Sequence, residues 1–449
     1  MGRLFGTDGI RGEANRYPMD GRTAFAVGQA VAHVTKRMAP NPRVVIGKDT
    51  RVSGDMLESA LASGVASMGG VPWLVGVFPT PGVAFITKSE HADAGVVISA
   101  SHNPYEDNGI KIFSGRSFKL SDEEEAEIEE LVLAGKLPDL VPTARELGRI
   151  GRWGDVSDKY VGFLKGTFPR SLSLEGIKVV LDTANGATYQ VAPAVFGGLG
   201  ADLSLIHDGP TGLNINDGCG SQHPDDLARA VVREGAALGL AFDGDGDRLV
   251  AVDERGSVLT GDQILVICGL MLKKEGRLRN DLLVSTVMSN MGLRAACKKY
   301  GFVNHAAQVG DRYVLQDMLR LGAVLGGEES GHVILLEHQP TGDGVLTGVQ
   351  LLAAMLKSGK PLSELAQAME VFPQELVNVD VKSKPDIQSL PDVVAAIKQV
   401  EAELGDEGRV LVRYSGTQSM CRVMVEGPTE EVTTRHASSL AGVVRSAIG

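Results

Sequence analysis

Leu238-Gly239-Leu240-Ala241-Phe242-Asp243-Gly244-Asp245-Gly246-Asp247-Arg248-Leu249-Val250-Ala251-Val252 is the most telling stretch of this chain. Two apolar runs of strand length flank a loop that carries a carboxylate at every second position. Such runs read as buried strands, and open α/β sheets usually bind ligands in the polar loops at their strand ends. Asp243, Asp245 and Asp247 repel one another unless a metal ion or a basic partner neutralises them. Spaced by glycines, they can converge on one hard cation. An EF-hand is excluded although Glu254 falls at its twelfth position, because the sixth, which must be Gly, is Arg248. Residues 249–252 also read as a strand where an EF-hand continues as a helix. Mg²⁺, with open positions for phosphate oxygens, fits the loop better.

The same alternation runs outward from this loop. Strands are predicted at 43–47, 71–77 and 95–99 with a helix over 56–68. A second round has strands at 178–182, 201–206 and 238–242, and a third begins near 261 with strands at 282–287 and 323–325. This is the β-α-β rhythm of mostly parallel sheets with helices on their faces, an α/β class. The acidic stretch 121–133 reads as an exposed helix capped by Ser121. The tail differs, with strands at 376–381, 409–414 and 421–426 and helices at 390–404 and 429–448, a small α+β unit with an antiparallel sheet. At 449 residues the chain is too long for one core. The expected domains are 1–150, 151–255, 256–370 and 371–449, the first boundary lying in the polar, Gly-rich passage 148–158. No internal repeat marks a solenoid.

Composition removes several function classes. Lys and Arg number 44 against 56 Asp and Glu, a net charge of −12, which argues against nucleic acid or an anionic membrane as partner. The four cysteines, Cys219, Cys268, Cys297 and Cys421, form no CxxC pair and no short Cys/His cluster, so neither a disulfide scaffold nor a zinc knuckle is expected. With no apolar leader region and no long apolar span, the expected location is the cytoplasm, with reduced thiols.

Three more loops follow apolar strands. Ser99-Ala100-Ser101-His102-Asn103-Pro104 can be a plain turn or can present a nucleophilic serine, though no GxSxG elbow is present. Just beyond, Asp107-Asn108-Gly109-Ile110-Lys111 supplies a cation. Gly326-Gly327-Glu328-Glu329-Ser330-Gly331-His332 gathers acceptors, a hydroxyl and an imidazole, a mix suited to sugar hydroxyls and proton transfer or to a polar turn. Arg413-Tyr414-Ser415-Gly416-Thr417-Gln418-Ser419, with Arg422 beyond, has the charge and the donors a phosphate needs. It is not a Walker A loop, and no convincing GxGxxG points to a dinucleotide.

These four loops, in this order and across essentially the whole chain, resemble those of the α-D-phosphohexomutase family. Arg3-Leu4-Phe5-Gly6-Thr7-Asp8-Gly9-Ile10-Arg11-Gly12, Asn214-Ile215-Asn216-Asp217-Gly218-Cys219-Gly220-Ser221 and Val309-Gly310-Asp311-Arg312-Tyr313-Val314 resemble its amino-sugar branch. The resemblance implies a four-domain architecture, three α/β domains with mixed sheets plus a C-terminal α+β domain. It implies an isomerase that interconverts glucosamine 6-phosphate and glucosamine 1-phosphate through a bisphosphorylated sugar, on the route to UDP-N-acetylglucosamine. Ser101 matches the serine that must be phosphorylated for activity. Asp243, Asp245 and Asp247, with the Ser101 phosphate, match the ligands of one Mg²⁺ per chain. Arg11 and His102 would lie near the phosphoserine, and Lys111 and His332 are the candidates for general acid and base. Glu328 and Ser330 match sugar-hydroxyl contacts, and Arg413, Ser415, Gly416, Thr417 and Arg422 match the loop that holds the non-reacting phosphate. Gln418 and Ser419 stand where the family commonly has Glu-Pro, and Glu329 stands where the branch commonly has Gln. The implied partner is a small hexosamine phosphate, with a homodimer allowed. The rivals are a phosphomannomutase or phosphoglucomutase of the same family, a phosphatase with Asp243 as nucleophile, and a sugar-phosphate-binding regulator without chemistry.

Overall fold

The computed structural model describes residues 4–6, 8–37, 39–154, 156–415 and 419–449. The chain divides into two compact units, one of residues 1–287 and 305–367, the other of 288–304 and 368–449.

In the larger unit the first sheet has six strands, in the order Ile10–Glu13, Asp107–Ser114, Ala94–Ile98, Arg43–Lys48, Val71–Val77, Gly151–Arg152. Val44, Val45, Ile46, Val96, Val97 and Ile98 are all fully buried, as unbroken apolar runs in a sheet covered on both faces should be. Each such side chain contributes roughly 1.5–3 kcal/mol of transfer free energy. Arg43–Lys48 runs parallel to both neighbours, whereas Asp107–Ser114 is antiparallel to Ala94–Ile98 and to Ile10–Glu13. The sheet is therefore mixed, and Asp107–Ser114 is a strand that the sequence reading did not place. Gly151 and Arg152 pair with Val71–Val77 and so belong to this sheet. Helices Gly21–Thr35 and Gly54–Ser67 cross closely: a Cβ on Gly28 would sit 2.2 Å from Leu61 O, and one on Gly64 2.1 Å from Phe25 O.

The second sheet orders Val258–Leu259, Leu249–Asp253, Leu238–Phe242, Lys178–Asp182, Asp202–Ile206. Phe242 lies opposite Leu249 in an antiparallel hairpin, so residues 243–248 form its turn. In the third sheet Leu282–Thr286 and Leu325–Gly327 are parallel, and Val333–Leu335 returns antiparallel, making residues 328–332 a second hairpin turn. Helix Gly344–Ser358 is almost wholly buried. Its cap, Asp343, accepts hydrogen bonds from Leu346 N (2.9 Å) and from the fully buried Tyr160 hydroxyl (2.6 Å). Helix Asp122–Ala134 begins at Ser121 with a full capping box.

The smaller unit has a three-stranded antiparallel sheet, ordered Gln374–Asp380, Met420–Glu426, Arg409–Tyr414. Helices Pro391–Leu404 and Glu430–Ile448 pack on it through Val393, Leu440 and Val444 against Val379, Cys421 and Val423. Among the described residues no helix is long and apolar enough to cross a membrane.

Candidate active site

The strand Ala94–Ile98 delivers the serine loop, and a buried polar network fixes its shape. Ser101 is 1% exposed and has a φ of +54°, a left-handed conformation that costs free energy in a non-glycine residue and persists only where its surroundings enforce it. Its N–H donates to Ser99 Oγ (2.9 Å), and Ser99 Oγ donates to Asp49 Oδ2 (2.5 Å). Arg51, wholly buried, donates to Asp49 (2.8 Å) and to the carbonyls of Ser101 (3.0 Å), Asn103 (2.8 Å) and Asp107 (3.0 Å), and also to that of Pro104. Asn216 Nδ2 donates to the same Ser101 and Asn103 carbonyls, at 2.9 and 3.0 Å.

The hairpin turn brings the acidic triplet to this serine. Ser101 Oγ donates to Asp243 Oδ2 at 2.5 Å, while Arg248 N donates to Asp243 Oδ1 at 3.1 Å. Each Asp243 oxygen thus accepts one hydrogen bond and keeps a lone pair for a cation. Asp245 Oδ2 accepts from Thr80 Oγ1 (2.6 Å) and Lys111 Nζ (2.9 Å). The other oxygens, Asp245 Oδ1 and Asp247 Oδ1, are buried with no hydrogen-bond partner. Each of the three aspartates offers an oxygen, and these lie within 4.8 Å of one another. A buried, all-oxygen set with unsatisfied lone pairs suits a hard divalent cation. Burial and the neighbouring Asp247 and Asp245 push Asp243 well above the carboxylate range. Burial acts on Asp247 in the same sense, but Lys111, His332 and Arg248 outweigh it and hold that group well below.

Around the triplet runs a closed ring in which acidic and basic side chains alternate. Lys111 lies 3.2 Å from Asp8 and 3.6 Å from Asp247. His332 lies 3.6 Å from Asp247 through Nδ1 and 3.7 Å from Asp311 through Nε2. Lys119 closes the ring, 2.6 Å from Asp311 and 2.5 Å from Asp8. Burial opposes the charge on Lys111, yet Asp245, Asp8 and Asp247 hold it firmly as an ammonium. His332 Nε2 accepts from Gly342 N (3.1 Å), which leaves the Nδ1 side to face Asp247. The ring borders a cavity of about 460 Å³ lined by Lys119, Asp311 and His332 and by apolar groups such as Phe118, Leu315 and Ile334.

Family models for phosphoglucomutase/phosphomannomutase match almost the whole chain: alpha/beta/alpha domain I over residues 2–138, domain II over 158–256, domain III over 260–372 and the C-terminal domain over 376–443. The chain belongs to this phosphohexomutase family. Phosphoglucosamine mutases of Syntrophobacter fumaroxidans and Syntrophus aciditrophicus are 69% and 58% identical to it, each over 100% of both chains. That of Myxococcus xanthus is 52% identical over 99% of this chain and 97% of its own. Two solved structures share the fold. A phosphoglucomutase/phosphomannomutase family protein of Burkholderia thailandensis has a TM-score of 0.81 at 22% identity, covering 99% of this chain and 97% of that one. The N-acetylphosphoglucosamine mutase of Aspergillus fumigatus, in complex with GlcNAc-6P and magnesium, has a TM-score of 0.72 at 17% identity, covering 99% and 96%.

In this phosphohexomutase, the sequence-predicted residues of the larger unit come together. His102 Nδ1 lies 3.5 Å from Ser101 Oγ, and Arg11 Nη1 donates to Ala100 O at 3.4 Å. Burial, with Arg248 and Arg11 adding to it, pushes the His102 imidazole down to about 4. The Glu328 loop docks beside the aspartate loop, with Leu249 N donating to Gly331 O at 3.1 Å. Glu328 accepts from Gly310 N at 3.0 Å, and Ser330 is exposed. In the smaller unit Arg413 and Arg422 stand directly opposite on paired strands, a like-charge pair that is destabilising without an anion. The Nε of each is buried without a partner. Ser415 is buried, and its N–H donates to Met420 O at 2.9 Å, while Gly416, Thr417 and Gln418 lie outside the described residues. Sequence reasoning missed the roles of Asp8, Asp49, Arg51, Thr80, Lys119, Asn216 and Asp311. Asp49 and Arg51 could have been found, since they follow a strand end just as Ser101 does. Lys119, lone between Phe118 and Leu120, carried only the weak signal of a charge among apolar residues.

Proposed function

We propose that this phosphohexomutase interconverts glucosamine 6-phosphate and glucosamine 1-phosphate, with Ser101 as the phosphoryl carrier and one Mg²⁺ at Asp243, Asp245 and Asp247. The observation that carries the reading is Ser101 Oγ at 2.5 Å from Asp243, with the unpaired Asp245 and Asp247 oxygens beside it. When bound, Mg²⁺ supplies charge neutralisation at the phosphoryl group. Ser101, once phosphorylated, gives its phosphoryl to the free hydroxyl of the sugar. The P–Oγ bond breaks, a P–O bond to the sugar forms, and the hydroxyl proton leaves to the base. Ser101 Oγ takes up a proton from the acid. Lys111 and His332, both beside Asp247, are the candidates for general acid and base. The bisphosphorylated sugar then presents its other phosphate, and the same step runs in reverse. Arg11 and His102 steady the phosphoserine. Arg413, Ser415, Gly416, Thr417 and Arg422 grip the non-reacting phosphate, the bidentate charge of the arginines answering its oxygens. The route served is the supply of UDP-N-acetylglucosamine in the cytoplasm, and a homodimer is the assembly to test by light scattering.

The amino sugar is selected by charge. Its C2 ammonium meets Glu328 and Glu329, a charge-assisted hydrogen bond worth about 1.5–3 kcal/mol when desolvated. That corresponds to roughly 10- to 150-fold in kcat/KM over the neutral sugar. Ser330 and the same carboxylates serve the ring hydroxyls. The test is kcat/KM on glucosamine 1-phosphate, glucose 1-phosphate and mannose 1-phosphate under one set of conditions. Parity, or preference for a neutral sugar, moves the chain to the phosphomannomutase/phosphoglucomutase reading.

A further inference from the structure

A second set of metal-ligating side chains, sharing no residue with the aspartate triplet, lies at strand ends of the second sheet. Asp182 ends the strand Lys178–Asp182, His207 follows Asp202–Ile206 beside it, and Cys219 lies in the loop that returns over both. One donor atom from each lies within 4.8 Å of the others. Asp182 and Cys219 are fully buried, and the His207 side chain is 25% exposed. His207 Nδ1 stands 3.0 Å from Asp182 Oδ2 but off the line an N–H bond needs, and it is buried with no hydrogen bond. The imidazole is held there by force: His207 has a φ of +50°, fixed by Asn185 N (2.6 Å) and Thr183 Oγ1 (2.8 Å), which donate to its carbonyl. The carboxylate is itself anchored, accepting from Ala184 N and Gly220 N at 2.9 Å each. The Cys219 sulfur accepts from Asn185 Nδ2 at 3.8 Å.

We propose that Asp182, His207 and Cys219 form a second metal site, for a borderline-soft divalent transition ion such as Zn²⁺, with a fourth position open to water on the exposed side of His207. One oxygen, one imidazole nitrogen and one thiolate are a mixed donor set that Mg²⁺ disfavours and Zn²⁺ accepts. Tetrahedral ligands at 2.0–2.3 Å from zinc stand roughly 3.3–3.8 Å apart. The observed span closes to that with side-chain shifts of about 1 Å or less. Two ionised ligands, Asp182 and the Cys219 thiolate, would balance the ion's charge. The local potential agrees: burial, then Asp182 and Asp217, push the Cys219 thiol up to about 12, and the carboxylate of Asp182 at 3.0 Å, with Asp226 and Asp208 beyond, raises His207. A cation reverses the thiol's preference, because a coordinating thiol is deprotonated outright. Cys219 is three residues from Asn216, which holds the Ser101 and Asn103 carbonyls, so an ion here would stiffen the loop that shapes the serine site.

The test is a Co²⁺ titration of the metal-stripped full chain, with excess Mg²⁺ present to occupy the aspartate triplet. One equivalent should bring up a thiolate-to-cobalt charge-transfer band in the near ultraviolet, and Zn²⁺ should displace it one for one. Cys219→Ala should abolish the band, and Zn²⁺ should raise the Tm of the parent but not of this variant. If Cys219→Ala fails to fold, His207→Gln, at a part-exposed position, must weaken Co²⁺ binding at least about tenfold. No band in the parent, a band that survives Cys219→Ala, or unchanged affinity in His207→Gln overturns the site.

Discussion

Arg51→Lys keeps the charge and removes the fork, and the structure says what that does. Arg51 spreads its donors over Asp49 and over the carbonyls of Ser101, Asn103, Pro104 and Asp107. A lysine ammonium is a compact point charge on a straight stem, so it can reach the carboxylate or one carbonyl cluster but not both. About two charge-assisted hydrogen bonds are lost, each worth ~1.5–3 kcal/mol. Asn216 still donates to two of the freed carbonyls, which reduces the net loss to about 2–4 kcal/mol. At 2–4 °C per kcal/mol for a domain of this size, the first-domain transition should fall by roughly 5–15 °C. The loop that carries Ser101 at its positive φ loses its main restraint, and a displacement of about 1 Å at the phosphoryl carrier costs on the order of 100-fold in kcat. KM should move little, because the substituted side chain faces the loop backbone. Differential scanning calorimetry and a coupled mutase assay read both effects. A variant with parental Tm and kcat would refute the claim that Arg51 positions the serine loop.

Ser101→Ala should abolish mutase turnover and leave the protein without phosphate by intact-mass analysis; turnover at the parental rate would sink the carrier role. Asp245→Asn and Asp247→Asn should each weaken Mg²⁺ binding and lower kcat with the fold retained, since each removes one charge from the hard-cation site; parental Mg²⁺ affinity by calorimetric titration would show that the triplet is not the metal site. Asp343 tests a buried carboxyl. Burial raises it to about 6, above the ordinary value near 3.9, so between those pH values the folded chain keeps a proton that the unfolded chain releases. Its contribution to stability is therefore lost as pH rises from about 4 to about 6 and is level above, a fall of about 1–3 kcal/mol. Asp343→Asn, which can still cap the helix, should show a correspondingly flatter urea-unfolding midpoint between pH 4.5 and 7, and parallel curves for the two proteins would contradict this.

Much of this molecule could be read from its sequence where structure is local. Strands Val71–Val77, Lys178–Asp182, Leu238–Phe242 and Arg409–Tyr414 begin and end where the sequence reading places them. The strand Asp107–Ser114 was hidden because its first three residues are turn formers, and only pairing with Ala94–Ile98 makes them extended. The site divides the same way. Ser101, the aspartate triplet and the His332 loop sit in short runs at strand ends. Asp8, Lys119 and Asp311 have no local pattern: the Lys119–Asp8 pair joins residues 111 apart in sequence, and nothing short of the tertiary fold brings them together. Asp182, His207 and Cys219 escaped for the same reason, since spacing rules look for ligands that are close in sequence.

The ring of Asp8, Lys111, Asp247, His332, Asp311 and Lys119 also sets which sequences this lineage can visit. Each member answers two neighbours, so replacing one by a neutral residue strands two partners at once, and each single step is costly. Replacing an acid together with an adjacent base, Lys119 with Asp311 for instance, shortens the ring to a chain and leaves its charge balanced. Change at these positions should therefore arrive as correlated pairs, with strong epistasis in double-mutant cycles between ring neighbours and near-additivity between either member and a distant surface charge. Evolution along the ring is a matter of exchanging couples, and a designer who alters it one residue at a time will meet a barrier that two simultaneous changes avoid.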